Sequence, residues 1–217
     1  CGRNSSWTWN AQRRFFADTG LSDSCVHERT GALAASDAAP GTGAWIGAGN
    51  PRWNFSAGST SKYDGWQNVE NQNSLIAEGG TAGHLGIAWG WYLVSPEWTG
   101  IWPEASTPLP YREPKTSKAV ILMTDGEFNV QHPTASKDSF RQSMDLCDAM
   151  KASNRRIQIY TVGFQVPSGV QRTGDGRTIL EYCATSPGHA FSAENGEELI
   201  EVYRSIARSI SDLRLKQ

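Results

Sequence analysis

An α/β fold with a mostly parallel sheet is predicted from the second half of the chain, on two observations. Short apolar runs alternate there with longer amphipathic segments, in the order strand, helix, strand, helix, strand, helix. That alternation requires crossovers and a sheet covered on both faces. The run at 120–123 is unbroken, includes two β-branched residues and stops at Thr124-Asp125-Gly126. A run of that length reads as a strand buried on both faces. A parallel strand ending in a carboxylate puts that carboxylate at the carboxyl edge of the sheet, where open α/β sheets bind ligands.

The other elements follow in order. Residues 1–75 are rich in Gly, Ser, Asn and Trp and lack long periodic segments. They read as a loop-rich layer pinned by Trp7, Trp9, Trp45, Trp53 and Trp66, or as a partly disordered stretch. Short strands are expected near 25–29 and 44–47. From residue 76 onward an α/β core is expected. Leu85, Ala88, Trp89, Tyr92 and Leu93 fall on one face of a helix opened by Gly79-Gly80-Thr81 and ended by Pro96. Residues 96–117 carry five prolines and no periodicity, which predicts a surface insertion. A helix with Phe140, Met144, Cys147 and the stem of Lys151 on one side comes after the 120–123 strand. A second strand is read at 157–164, a short helix at 178–184 and a third strand at 189–192. The last helix starts with an Asn195 cap and an acid three residues on, and carries Leu199, Tyr203, Ile206, Ile210 and Leu213 on one stripe.

Bulk properties narrow the class. The chain has 217 residues, enough for one sizeable α/β domain, with 20 basic and 22 acidic residues well mixed. No basic patch or acidic tail calls for nucleic acid or an anionic membrane surface. No apolar run is long enough to span a bilayer. The four cysteines, Cys1, Cys25, Cys147 and Cys183, lack any C-x-x-C pair, which argues against a zinc or thioredoxin-type site. Their even number allows two disulfides and an oxidising compartment, or four free buried thiols. The chain opens with Cys1 and not Met, as a processed protein or a piece of a longer one would.

Gly79-Gly80-Thr81 opening a helix, together with Leu122-Met123-Thr124-Asp125-Gly126 closing a strand, resembles the von Willebrand factor A domain family. More narrowly, residues 81–98 and 118–129 resemble the A-type domain of TadG-like proteins of bacterial tight-adherence (Flp) pilus systems. The segments 25–31, 37–40 and 159–164, Cys183-Ala184 and the terminal Leu213-Arg214-Leu215 fit the same pattern. The resemblance implies a Rossmann-like three-layer α/β sandwich and a metal ion-dependent adhesion site built from three loops. Thr81 and Asp125 match the second and third loops. The first, D-x-S-x-S after a strand, is missing; Asp18-Thr19-Gly20-Leu21-Ser22 comes nearest. The first strand, its loop and a membrane anchor are therefore expected upstream of Cys1. The implied role is non-enzymatic: protein–protein recognition with partners of the pilus assembly machinery, in the bacterial cell envelope on the periplasmic side.

A hydroxyl and a carboxylate are hard donors suited to Mg²⁺, which keeps several of its six positions as water. Asp125 alone would hold the ion weakly. Against this stand plainer roles, a turn for Asp125-Gly126 and a helix N-cap for Thr81. Cys147 and Cys183, on the helices flanking the second strand, are expected to form a disulfide; Cys1 with Cys25 is the weaker pairing. No His shows ligand spacing, and only His84 stands near the Thr81 loop. G-x-S-x-G, H-E-x-x-H and G-K-[ST] are all missing. Residues 41–47 miss the dinucleotide fingerprint by one position. Asp18-Thr19-Gly20 is the aspartic-protease tripeptide, but a second copy is needed to share a proton and none is present. Two alternatives thus remain beside recognition: a metal-independent structural module, and an aspartic-protease-like hydrolase. The insertion at 96–117 and the Trp-rich first third are the candidate partner contacts.

Overall fold

The computed structural model of the chain describes residues 29–39, 44–45, 81–99, 102, 104–124, 127–131 and 135–215. A two-residue strand β1 (Arg29–Thr30) pairs antiparallel with β2 (Ala44–Trp45). Helix α1 (Gly83–Val94) follows, then β3 (Ala119–Thr124), α2 (Ser139–Lys151), β4 (Gln158–Phe164), α3 (Ile179–Cys183), β5 (Ala190–Ala193) and α4 (Gly196–Leu215). The three longer strands form a parallel sheet in the order β3-β4-β5. This is a mixed α/β fold with strand and helix alternating, as the sequence predicts.

The period-two alternation of β4 divides the molecule. Ile159 joins the cluster made with α1, α2 and α3, where Ile87, Trp91, Phe140, Leu146 and Met150 are buried. Tyr160 and Val162 point the other way and pack with Ile206 of α4, backed by Leu199, Val202 and Ile210. Helices therefore cover both faces of the sheet. Five consecutive residues of β4, from Ile159 to Gly163, are buried.

β3 departs from expectation. The run was expected to be buried on both faces, yet Ile121 and Met123 are 40% and 41% exposed. Among the described residues β3 pairs only with β4, so it is an edge strand of this sheet. Its Val120 and Leu122 reach the α1–α2 cluster, while α4 shields the opposite face mainly over β4 and β5. An apolar run signals a strand; how many neighbours cover it is set by topology.

The stripe on α1 is also corrected. The buried residues are His84, Ile87, Ala88, Trp91 and Tyr92, whereas Leu93 is exposed. Nearly every position from Leu85 to Val94 is apolar or glycine, so two adjacent stripes fit the helical period equally well. On α2 the buried positions are Ser139, Phe140, Ser143, Leu146, Cys147 and Met150, with Met144 only half-buried. The segment 96–117 does more than run over the surface. Its first short helical turn (Pro96–Trp98) buries Trp98, stacked on Tyr92 at 4.3 Å, and Trp102 stacks beyond it at 6.0 Å.

Caps stop and start the helices. Asn195 Oδ1 accepts from the N–H groups of Glu197 and Glu198, as its position ahead of an acidic first turn suggests. Thr178 and Glu181 form a complete capping box on α3. The Thr178 N–H donates to Glu181 Oε2 at 2.7 Å, and this bond holds the Glu181 carboxyl below its ordinary value of 4.5. A depressed carboxyl contributes stability above its unfolded value and loses it as pH falls through the folded one. Glu181→Gln is therefore expected to flatten the acid limb of the stability curve below about pH 4.5. Urea unfolding from pH 3 to 7 checks this; identical slopes for both proteins would refute it.

Candidate functional site

The three parallel strands end on one edge of the sheet, at Thr124, Phe164 and Ala193. The chain leaving β3 returns past Asp125 and Gly126, which lie outside the described residues, to Glu127–Val130. There Phe128 forms an isolated parallel bridge with Thr81. The Thr81 carbonyl accepts from the N–H groups of Asn129 (3.0 Å) and Val130 (3.2 Å). The Thr81 N–H donates to Asn129 Oδ1 at 2.9 Å. The two loops singled out in the sequence are thus joined at the carboxyl edge.

Below that junction the packing is tight. A Cβ on Gly83 would lie 2.3 Å from the Phe128 ring, and Phe128 is buried. Only glycine lets the first turn of α1 rest on that ring. His84, next along, is buried with Nδ1 2.8 Å from Ser139 Oγ, and Ser143 Oγ donates to the Ser139 carbonyl. This bond ties the first turn of α1 to the first turn of α2. It is the arrangement of a satisfied core histidine, not of an exposed ligand.

Thr81 is not the cap of α1. The cap position is Ala82, which offers no side-chain bond. Thr81 instead sits half-buried one residue earlier, held through its backbone. Its hydroxyl is therefore not committed to capping. A hydroxyl at this edge, beside the segment that follows Asp125, suits a hard cation in donor chemistry. Among the described residues no group of three or more His, Cys, Asp or Glu is placed to hold a metal ion.

Cys147 on α2 and Cys183 on α3 form a disulfide, with Cα atoms 5.2 Å apart and both residues fully buried. Cys1 and Cys25 lie outside the described residues. So do the tryptophans at 7, 9, 53 and 66.

Sequence reasoning passed over a buried polar cluster at the carboxyl end of α1. Asp37 Oδ2 accepts from Ser95 Oγ (2.6 Å) and from the Tyr111 hydroxyl (2.5 Å), and Asp37 Oδ1 from Arg155 Nη2 (3.2 Å). Trp91 Nε1 donates to the Tyr111 oxygen at 2.8 Å, and the Arg155 guanidinium lies 5.0 Å from the Trp91 ring. Burial, then the bond to Asp37, pushes the Tyr111 phenol well above its ordinary range. Arg29, buried in the same region, donates to the carbonyls of Ser36 and Ala38. Asp37, Ser95 and Arg29 are buried and Tyr111 and Arg155 partly so, and the cluster reads as a clasp that fastens 29–39 to the core. No local signal marks it, because the partners of Asp37 lie 58, 74 and 118 residues away.

Two of the cavities lined by described residues bear on the site. The one near the junction, between Phe128, Phe140, Val170 and Leu180, is about 20 Å³, far below the hundreds of Å³ a metabolite needs. An open depression of about 590 Å³ runs along α4 beside Glu197, Glu198, Glu201 and Arg204. Glu201 and Arg204 pair with each other there. Among the described residues no helix is long and apolar enough to cross a membrane. Comparisons with protein-family models, curated proteins and solved structures find no match to this chain.

Proposed function

We propose that this chain is a non-enzymatic recognition module of the von Willebrand factor A type. It would act in the bacterial cell envelope, on its periplasmic side, in the assembly or anchoring of tight-adherence pili. Thr81 and Asp125 would hold a divalent cation such as Mg²⁺ at the carboxyl edge of the sheet. A partner carboxylate would complete the coordination, and no bond would be broken. The pilus role and the partners rest on the resemblance of residues 81–98 and 118–129 alone.

The observation that supports the site is the bridge between Thr81 and Phe128, three residues beyond Asp125. The two loops come from positions more than forty residues apart, and the pairing brings their backbones together where α/β sheets bind ligands. The parallel sheet with helices on both faces is compatible with a Rossmann-like fold. The buried disulfide is in keeping with an oxidising compartment. When bound, the ion would supply a Lewis-acidic position for an acidic partner side chain. The protein would contribute the hydroxyl and the carboxylate.

The test is a thermal melt of the chain in EDTA and in millimolar Mg²⁺, repeated for Asp125→Ala and Thr81→Ala. Binding at a hundred times Kd stabilises the folded state by about 2.7 kcal/mol. For a domain of this size that is a rise of roughly 5–10 °C. The rise should vanish in Asp125→Ala and shrink in Thr81→Ala. If wild type ignores the ion, the metal-independent structural module replaces this reading.

A further inference from the structure

We propose that residues 107–112 form a preset polyproline-II ridge, which docks in an aromatic-lined groove of a partner protein whose acidic side chains meet Arg112 and Lys115. The proposal goes beyond the cation reading above and does not depend on it.

Two prolines set the backbone. Pro108 and Pro110 each lock their own φ. The ring of each also disfavours the helical region for the residue before it, Thr107 and Leu109. All the described peptide bonds are trans, and residues 107–110 take neither helix, strand nor turn. Four consecutive residues held extended, without a neighbouring strand, have the character of a polyproline-II segment. Among the described residues nothing donates to the carbonyls of Pro108, Leu109 and Pro110. Aromatic grooves read such segments because they are stiff before binding and leave their carbonyls free.

The ridge is fastened at both ends. On one side Trp102 Nε1 donates to the Tyr92 carbonyl at 3.0 Å, and the Trp102 ring stacks on Trp98. On the other the Tyr111 hydroxyl is held by Asp37, and the Lys118 ammonium lies 5.5 Å from the Tyr111 ring. Lys118 directly precedes β3, so the ridge stands at the amino edge of the sheet, opposite the edge where Thr124 ends. Between the anchors Leu109 is 53% exposed, and Pro110 is exposed beside it. A lone exposed leucine is ordinary. One set between two prolines in a fastened segment presents an apolar knob whose ordering cost has been met in advance.

Charge indicates the character of the groove. Arg112 and Lys115 have φ of 58° and 62°, the left-handed region that residues with a Cβ enter at a cost. Local bonds hold this geometry: the Glu113 carbonyl accepts from the Thr116 N–H and hydroxyl. Both cations are exposed, and neither side chain forms an ion pair among the described residues. Glu113 between them is half-buried. The ridge therefore carries two uncommitted positive charges at one end, which acidic residues flanking an aromatic groove would complement.

The experiment uses the whole chain, labelled with ¹⁵N and kept in EDTA, so that the cation site has no part in the readout. The probe is a purified WW domain, a model of a groove lined by Tyr and Trp with acidic residues added at its rim. Before addition, the Leu109 amide is expected to show an order parameter near 0.85, that of rigid backbone. On titration the amides of Thr107, Leu109, Tyr111 and Arg112 should shift together. Leu109→Ala and Arg112→Glu should each weaken binding about tenfold. Both side chains are exposed, so these variants keep the fold, and unchanged resonances elsewhere verify that. A Leu109 order parameter below about 0.6 overturns the preset ridge. Silence of residues 107–112 at millimolar WW domain, shifts confined to other surfaces, or wild-type affinity in Leu109→Ala overturns the docking role.

Discussion

Replacing Asp37 with alanine is expected to destabilise the protein by about 3 kcal/mol, toward the lower end of the range for breaking a buried ion pair. The carboxylate is the common acceptor for Ser95, Tyr111 and Arg155. Its removal strands a fully buried hydroxyl, a phenol and a guanidinium together. Ser95 and Tyr111 lose a charge-assisted bond each, and such bonds are worth more than neutral ones. Arg155 moderates the loss, because its side chain is still 24% exposed and can turn toward water. It also keeps its bond to the Ala149 carbonyl and its seat over Trp91. Asp37→Asn, which keeps an acceptor but loses the charge, should fall between wild type and alanine. Urea unfolding at pH 7 measures all three; an alanine variant within 0.5 kcal/mol of wild type, the usual scatter for surface substitutions, would show that the clasp carries no net stability. A double-mutant cycle with Arg155→Ala separates the ion pair from the hydroxyl bonds.

Loss of the Cys147–Cys183 disulfide should be the larger effect. The bridge closes a loop of 36 residues that contains all of β4. Chain-entropy reasoning for such a loop gives about 4 kcal/mol at 25 °C. Cys147→Ala with Cys183→Ala adds the loss of packed sulfur at two fully buried positions, of order 1 kcal/mol. The destination of that energy is specific. α2 and α3 lie against the same face of the sheet, and the bridge pins the short α3 where it supports the Thr161 hydroxyl through the Leu180 carbonyl. Guanidinium unfolding of the double variant, with the m-value checked, is the measurement. A change below about 1 kcal/mol would mean the reduced unfolded chain is already compact enough to forgo the constraint.

Much of the α/β pattern was legible because it depends on neighbours in sequence. The runs at β3, β4 and β5 were found within one or two residues, since a short apolar stretch between polar ends has few other places to go. The start of α4 was legible because a cap is a local hydrogen bond between residues three apart. The pairing of Cys147 with Cys183 was legible because both lie on helices flanking one strand. The short helix read at 178–184 was found within one residue at each end, and the Thr178-x-x-Glu181 box is a further local sign of its start.

The Thr81 segment was legible in part. Thr81 was read as standing just before the first turn of α1, where it stands, but what holds it there was not. The Thr81–Asn129 pairing spans 48 residues, and nothing in a single sequence states that a given Asn will meet a given Thr. The face of α1 could not be chosen, because a helix apolar on most sides has no preferred stripe until its neighbours are known.

What the sequence by itself determined is therefore the local grammar: which segments extend, which coil, where helices begin, and which cysteines could meet. What only the tertiary structure decided is the neighbourhood. It made β4 the buried central strand among those described and β3 an edge, and it gathered Asp37, Ser95, Tyr111 and Arg155 into one clasp. It also closed the Thr81 loop onto Asn129. The physical reason is range. Propensity, capping and periodicity act over a few residues, whereas burial and buried polar pairing depend on contacts between residues tens of positions apart.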